Sequence, residues 1–197
     1  MKEILLILVL GLASCGYQKV NNEWLIDEQV AALQAEVYEL EDNSDLRIYL
    51  HRMLANDQRY RNMEDSIIST FGYESDEHFD LWDKIHLADA ENVVRVAALL
   101  ERFGYPDIDS VGKNNAMVPI LVIHHTNDFD LREEHFPVFH DAYRQGHIDD
   151  EMMLLFLERT YHLKNEEAYP NEEGVFQYVR RIDDLIFELD YDQLLED

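Results

Sequence analysis

One cysteine, four prolines, seven glycines and only sixteen basic residues are what this 197-residue chain has least of. A single thiol excludes intrachain disulfides, paired-thiol redox chemistry and multi-cysteine metal sites. So few glycines and prolines leave few tight turns, which argues for long helices over many short strands. Sixteen bases against 42 acids give a formal charge of -26. Such a field repels phosphate backbones and anionic lipid surfaces, so nucleic acid is not an expected partner. Familiar catalytic patterns are missing as well: a glycine-rich phosphate loop, a Gly-x-Ser-x-Gly elbow and a His-Glu-x-x-His helix. His135 and His140 stand five apart, which splays them on a helix, and Asp128 and Asp130 lack the glycine and distal glutamate of a calcium loop. The sequence therefore calls for no cofactor and no metal.

What is present suits a globular domain. Apolar residues make up 47% of the chain, with 11 Tyr and 9 Phe, which rules out wholesale disorder. At the N-terminus, Lys2 precedes an apolar run from Ile4 to Leu12, too short to span a bilayer. The run ends in Leu12-Ala13-Ser14-Cys15-Gly16, and the unique cysteine follows the small pair directly. This resembles a bacterial lipoprotein signal, with Cys15 acylated as the first mature residue; the alternative is a plain signal peptide holding a chance cysteine. The expected layout is a signal peptide over 1–14, a tether over 15–22 and one α-helical domain over 23–197. Such a protein sits in the bacterial cell envelope, with Cys15 in the membrane.

The apolar spacing after the tether is helical throughout. Trp24, Val30, Leu33, Val37 and Leu40 mark a first helix that breaks at Asp42-Asn43-Ser44-Asp45. A second runs from Asp45 through Leu46, Leu50 and Met53, continuing or restarting across 57–61 until Gly72 stops it. Ser75, Asp76 and Glu77 open a long helix that Gly104 and Pro106 close. Residues 111–115 read as a loop or frayed turn. Later helices are expected from about Leu131 to Gln145, from Asp149 or Asp150 through Arg159, and over the stripe from Val175 to Leu189. The fold class is all-α, a bundle or array of antiparallel helix pairs with about six to eight helices.

Candidate site residues are polar groups on apolar faces. Ala116 to Ile123 is an unbroken apolar run that ends on His124 and His125. The face Val118, Leu121, Val122 points on to His125, and His124 is rotated from it by about 100°, so His125 is the inward candidate and His124 its flank. Asp89 and Asn92 interrupt or edge the stripe of the long helix, and Arg159 ends the inner stripe Met152, Leu155, Phe156. Buried polar groups need partners, so the economical arrangement gathers Asp89, Asn92, His125 and Arg159 into one pocket, with Arg159 facing Asp89. Lys113 is a second flanking candidate.

Residues 57–159 also resemble a bacterial family, domain-of-unknown-function family 6624. The matching pieces are Asp57-Gln58 with Arg61, Asp89 with Asn92, Phe103-Gly104-Tyr105-Pro106, Val111-Gly112, His124-His125 and Arg159. His125 falls on the family histidine, His124 stands where the family has glutamine, and Glu158 where it has aspartate. The family's closing Gln-x-Tyr-Gly-Thr-Gln segment has no counterpart between Lys164 and Gly174. The resemblance implies a shared fold and site position over a core of 57–165, with 174–197 as an additional C-terminal helix, and implies no activity. Three functional classes stay open: a lipid-anchored binding module for a small polar or anionic ligand or a protein partner, an enzyme with His125 as general base assisted by Asp89 and Arg159, and a purely structural envelope protein. The anchoring reading has a direct test. Cys15→Ser should leave the protein unprocessed or released from the membrane fraction, whereas unchanged membrane association of that variant overturns it.

Overall fold

A computed structural model of the chain describes residues 24–170 and 178–195. The segments expected to be signal peptide and tether, with Cys15, lie outside the described residues, as does Val175. Among the described residues the architecture is all-α, and no helix is long and apolar enough to cross a membrane.

The long helix α4 (Asp76–Phe103) is the spine. Ser75 caps it by accepting from the His78 N–H, two acids follow in its first turn, and Gly104 ends it with φ 69°. That left-handed conformation, and not lack of space, is what asks for glycine, since an added Cβ would meet nothing within 4 Å. Against α4 pack α1 (Asp27–Tyr38), α2 (Asn43–Arg61), α3 (Glu64–Phe71) and α7 (Val118–His125). The second expected helix thus restarts at Asn62–Met63 instead of running through. Residues 111–115, read as a loop or frayed turn, lie within two single turns, α5 (Ile108–Val111) and α6 (Lys113–Ala116), joined at Gly112 with φ 87°.

Helix α7 carries the chain from this first group of helices to the second. Val118, Pro119, Ile120, Val122, Ile123 and His124 are all buried. Pro119 is tolerated because it lies in the first turn, where its missing N–H has no intrahelical acceptor. Beyond α7 come α8 (Phe129–Arg144), α9 (Asp150–Asn165), α10 (Tyr178–Glu188) and a closing 3₁₀ turn (Tyr191–Leu195). One continuous apolar cluster joins Leu50 and Val96 to Ile123, Phe139, Phe156 and Leu185. Each such side chain contributes on the order of 1.5–3 kcal/mol on burial. The expected inner stripe of α9 needs one correction: Leu155 is 46% exposed, while Met153, Leu154 and Leu157 face inward beside Met152 and Phe156.

The most buried charge is Arg132 on α8, at 0% exposure. It donates to His124 O and, at 3.1 Å, to Thr126 O, which are carbonyls at the C-terminal end of α7. It also reaches Phe156 O at 3.3 Å and Thr160 Oγ1 at 2.9 Å on α9. Its guanidinium carbon lies 5.1 Å from the centre of the Phe156 ring. Burial, with Arg159 nearby, pulls its pKa down to about 9, so it still carries its charge at neutral pH. Replacing Arg132 by Met should cost roughly 3–5 kcal/mol, because several buried acceptors lose their donor at once. Arg132→Lys should recover little of this, since an ammonium cannot span the same fork. Urea denaturation checks both, and a loss below 1 kcal/mol would contradict the role assigned to Arg132.

Candidate functional site

The polar centre of the molecule lies where α2, α4 and α7 meet. Helix α2 buries Leu46, Leu50, Met53 and Asp57, a stripe at spacings of four, three and four that ends on a carboxylate. Asp57 is 4% exposed. Its Oδ1 lies 3.1 Å from His125 Nδ1, and its Oδ2 accepts from Gln58 Nε2 at 2.6 Å. Arg61, one turn on, holds its Nε 3.7 Å from Asp57 Oδ2 and donates through Nη2 to Asp89 Oδ1 at 2.5 Å. The chain of contacts therefore runs His125–Asp57–Arg61–Asp89.

The electrostatics follow from this order. Burial raises the pKa of Asp57, but the His125 hydrogen bond and the His125 and Arg61 charges outweigh it, so the carboxyl is held below its ordinary value. For Asp89 burial wins over the Arg61 bond, and its pKa is raised. An ionised carboxylate only accepts, so His125 donates to Asp57 through Nδ1–H, which fixes the orientation of the ring.

Of the four residues expected to share a pocket, the structure brings Asp89 and His125 into one network, leaves Arg159 beside it and turns Asn92 elsewhere. Asp89 is bonded by Arg61, while Arg159, near enough to feel the charges of both, donates through Nη2 to Asn127 Oδ1 at 2.9 Å. Arg61 has taken its place, because a base one turn from Asp57 reaches Asp89 with no change of helix packing. Asn92 is 1% exposed and turns toward Arg95, whose Nη1 lies 3.4 Å from Asn92 Oδ1. It lines a different cavity with Asn56, Arg59 and Tyr60. Lys113 is not part of the network and pairs at the surface with Asp149 at 3.1 Å.

The two histidines exchange the expected roles. His124 is the inward one, 9% exposed, with a buried Nδ1 that has no hydrogen-bond partner. His125 is partly exposed and bonded to Asp57. The rings stand 5.7 Å apart. Burial, then the charges of Arg132, His125, Arg159 and Arg61, push the pKa of His124 down to about 3.

Asp57, Asp89 and His125 offer donor atoms within 4.8 Å of one another, a spacing a divalent ion could bridge. The Arg61 guanidinium already binds Asp89 and flanks Asp57, so a metal would have to displace a tethered cation from both carboxylates.

Sequence reasoning missed Asp57, Arg61 and Arg132 as site residues. The signal for Asp57 was its place on the stripe of Leu46, Leu50 and Met53; Arg132 stands one turn before Phe136, which is itself fully buried. No family model, no curated protein and no solved structure matches the chain. The resemblance to the family of unknown function rests on the residues quoted for it.

The buried imidazoles set an acid limit. His124 and His135, the latter pushed to about 4 by burial, are folded as neutral bases whose ordinary value is 6.5. Between those values the unfolded chain binds more protons than the folded one, so stability is fully present above about pH 6.5 and falls as pH drops toward 4. The slope should be roughly 1.4 kcal/mol per pH unit for each imidazole. Chemical denaturation between pH 7 and 4.5 measures it. His135→Leu should flatten the profile, and an unchanged slope would contradict the assignment.

Proposed function

We propose that the chain is a lipid-anchored helical binding module of the bacterial cell envelope, and that its ligand docks at the cluster around His125. The observation that carries this reading is a partly exposed imidazole, His125, held by the buried Asp57 carboxylate with the Arg61 and Arg159 guanidiniums close by. Arg61 and Arg159 both depress the protonation of His124, and Arg61 depresses that of Arg159, so positive charge is concentrated there. A small polar or anionic ligand beside His125 would meet this positive charge, with the guanidiniums as planar donor forks. A protein partner presenting a carboxylate would meet the same groups.

One observation favours a second reading, an enzyme. The 3.1 Å contact from Asp57 to His125 Nδ1 orients the imidazole as a hydrolytic general base would require. In that reading the orienting carboxylate is Asp57, and Asp89 holds Arg61. The residues that resemble the family of unknown function fit either reading.

Arg159 is the place to test ligand binding, since its contact with Asn127 is exposed and its loss should cost the fold less than about 1 kcal/mol. Arg159→Gln should keep the thermal midpoint within a few degrees while weakening inorganic phosphate binding, followed by calorimetry, about tenfold. Phosphate binding that is absent in the parent, or unaltered in the variant, removes the binding reading. Hydrolytic activity lost in His125→Ala with the fold intact would replace it by the enzyme.

A further inference from the structure

The N-terminal half of α4 carries a connected row of aromatic side chains left largely open to solvent. Phe79, Trp82 and His86 recur at spacings of three and four, which puts them on one flank of the helix. The Trp24 ring lies 5.6 Å from His86, and Trp82 lies 5.5 Å from the same imidazole. His78 continues the row, its ring 6.3 Å from Trp82 and 4.7 Å from Tyr73. Tyr73 is 67%, Phe79 58% and Trp24 46% exposed. Single exposed rings are ordinary, but a connected set marks a surface that meets something other than water.

The row is held in place from beneath. Trp82 donates through Nε1 to His78 Nε2 at 3.0 Å, and His78 Nδ1 lies 2.6 Å from Tyr73 O. One imidazole, itself buried, thus fixes the Trp82 ring against the turn that carries Tyr73.

Two features identify what covers these rings. The first is the tether: Trp24 stands nine residues after Cys15, a stretch that reaches at most about 30 Å. A domain of this size is roughly 40 Å across, so with Cys15 in a bilayer the side that bears Trp24 stays next to it. The second is charge. Asp76, Asp80 and Asp83 are exposed on the neighbouring face of α4, which opposes an anionic surface and suits headgroups that end in an ammonium. Tryptophan and tyrosine settle at the headgroup level of a bilayer, and their ring faces attract such cations.

We infer that the row of Tyr73, Phe79, Trp82 and Trp24 docks the domain on a bilayer of zwitterionic lipid. The inference rests on the anchoring of Cys15, and it adds the face that the anchored domain turns to the membrane.

Trp24 and Trp82 are the two tryptophans of the chain, so indole emission reports on this row alone. The acylated full chain is reconstituted in vesicles of phosphatidylethanolamine and phosphatidylcholine whose acyl chains carry bromine just below the headgroup. Bromination should lower the emission about twofold, and brominated phosphatidylglycerol vesicles should lower it much less. Tyr73→Ser combined with Phe79→Ser should remove most of the quenching, and Phe187→Ser, at an equally exposed ring on α10, should not. An acylated chain, shown as such by its mass, whose emission bromine leaves unquenched has another partner on the row and overturns this inference alone. Quenching as strong in phosphatidylglycerol, or undiminished in the double variant, overturns it as well. A chain that carries no acyl groups overturns the anchoring, and this inference with it.

Discussion

The Arg132 guanidinium is the contact on which the arrangement of the other helices depends. An α-helix leaves its last carbonyls without N–H partners, and those at the end of α7 meet a fully buried cation. Arg132 donates to His124 O and Thr126 O, and the same group reaches Phe156 O and Thr160 Oγ1 on α9. One side chain thus closes α7, ties it to α9 and places positive charge at the negative end of the helix. The His124–His125 pair sits in that closed turn, so its orientation is set by Arg132 before any ligand is considered.

The same device recurs elsewhere. Arg102 on α4 donates to Val37 O and Leu40 O at the end of α1, at 2.9 and 2.5 Å. Lys164 on α9 donates to Leu189 O just past α10, at 2.8 Å. In a chain with sixteen bases and 42 acids, several of the scarce cations serve as caps supplied from a neighbouring helix. Each such cap spans two helices, so it fixes their relative position as well as ending one of them. The acids are used differently: Asp42, Asp128 and Asp149, like the Ser75 hydroxyl, cap N-termini within their own helices. This division explains why so acidic a protein keeps a basic centre. Arg61, Arg132 and Arg159 surround the histidines, while most acids remain at the surface, where screening limits their repulsion.

How much of this was legible in the sequence depended on whether a helix has two faces. Helix α4 has a polar side, so its caps and its buried positions at Leu81, Ile85, Val96 and Leu99 followed from spacing. Helix α7 is buried on nearly every side, and an apolar run with no polar face carries no rotational phase. The choice between His124 and His125 therefore could not be settled by periodicity, and the structure reverses it. Helix α9 fails in the same way at Leu155. Asp57 was legible on its stripe, but an acid near an i+4 arginine reads equally well as a surface pair until α4 and α7 are seen to cover it. The Asp89–Arg159 pairing failed for a related reason: sequence distance does not reveal which of two arginines lies nearer in space.

The residues that carry the family resemblance divide in the structure by what they do. Gly104 and Gly112 hold positive-φ turns that end helices and re-aim the chain. Asp57, Gln58, Arg61, Asp89 and His125 bond to one another from three helices. A turn glycine constrains geometry, whereas a bonded carboxylate–imidazole pair constrains chemistry, and the first exists here to deliver the second. The Gly104 turn frees the chain from the end of α4, α5 and α6 carry it on, and α7 then brings it back across α4 until His125 meets Asp57. Three helices thus meet at one carboxylate–imidazole contact, with Arg61 bridging the two carboxylates and His125 left partly exposed at its edge.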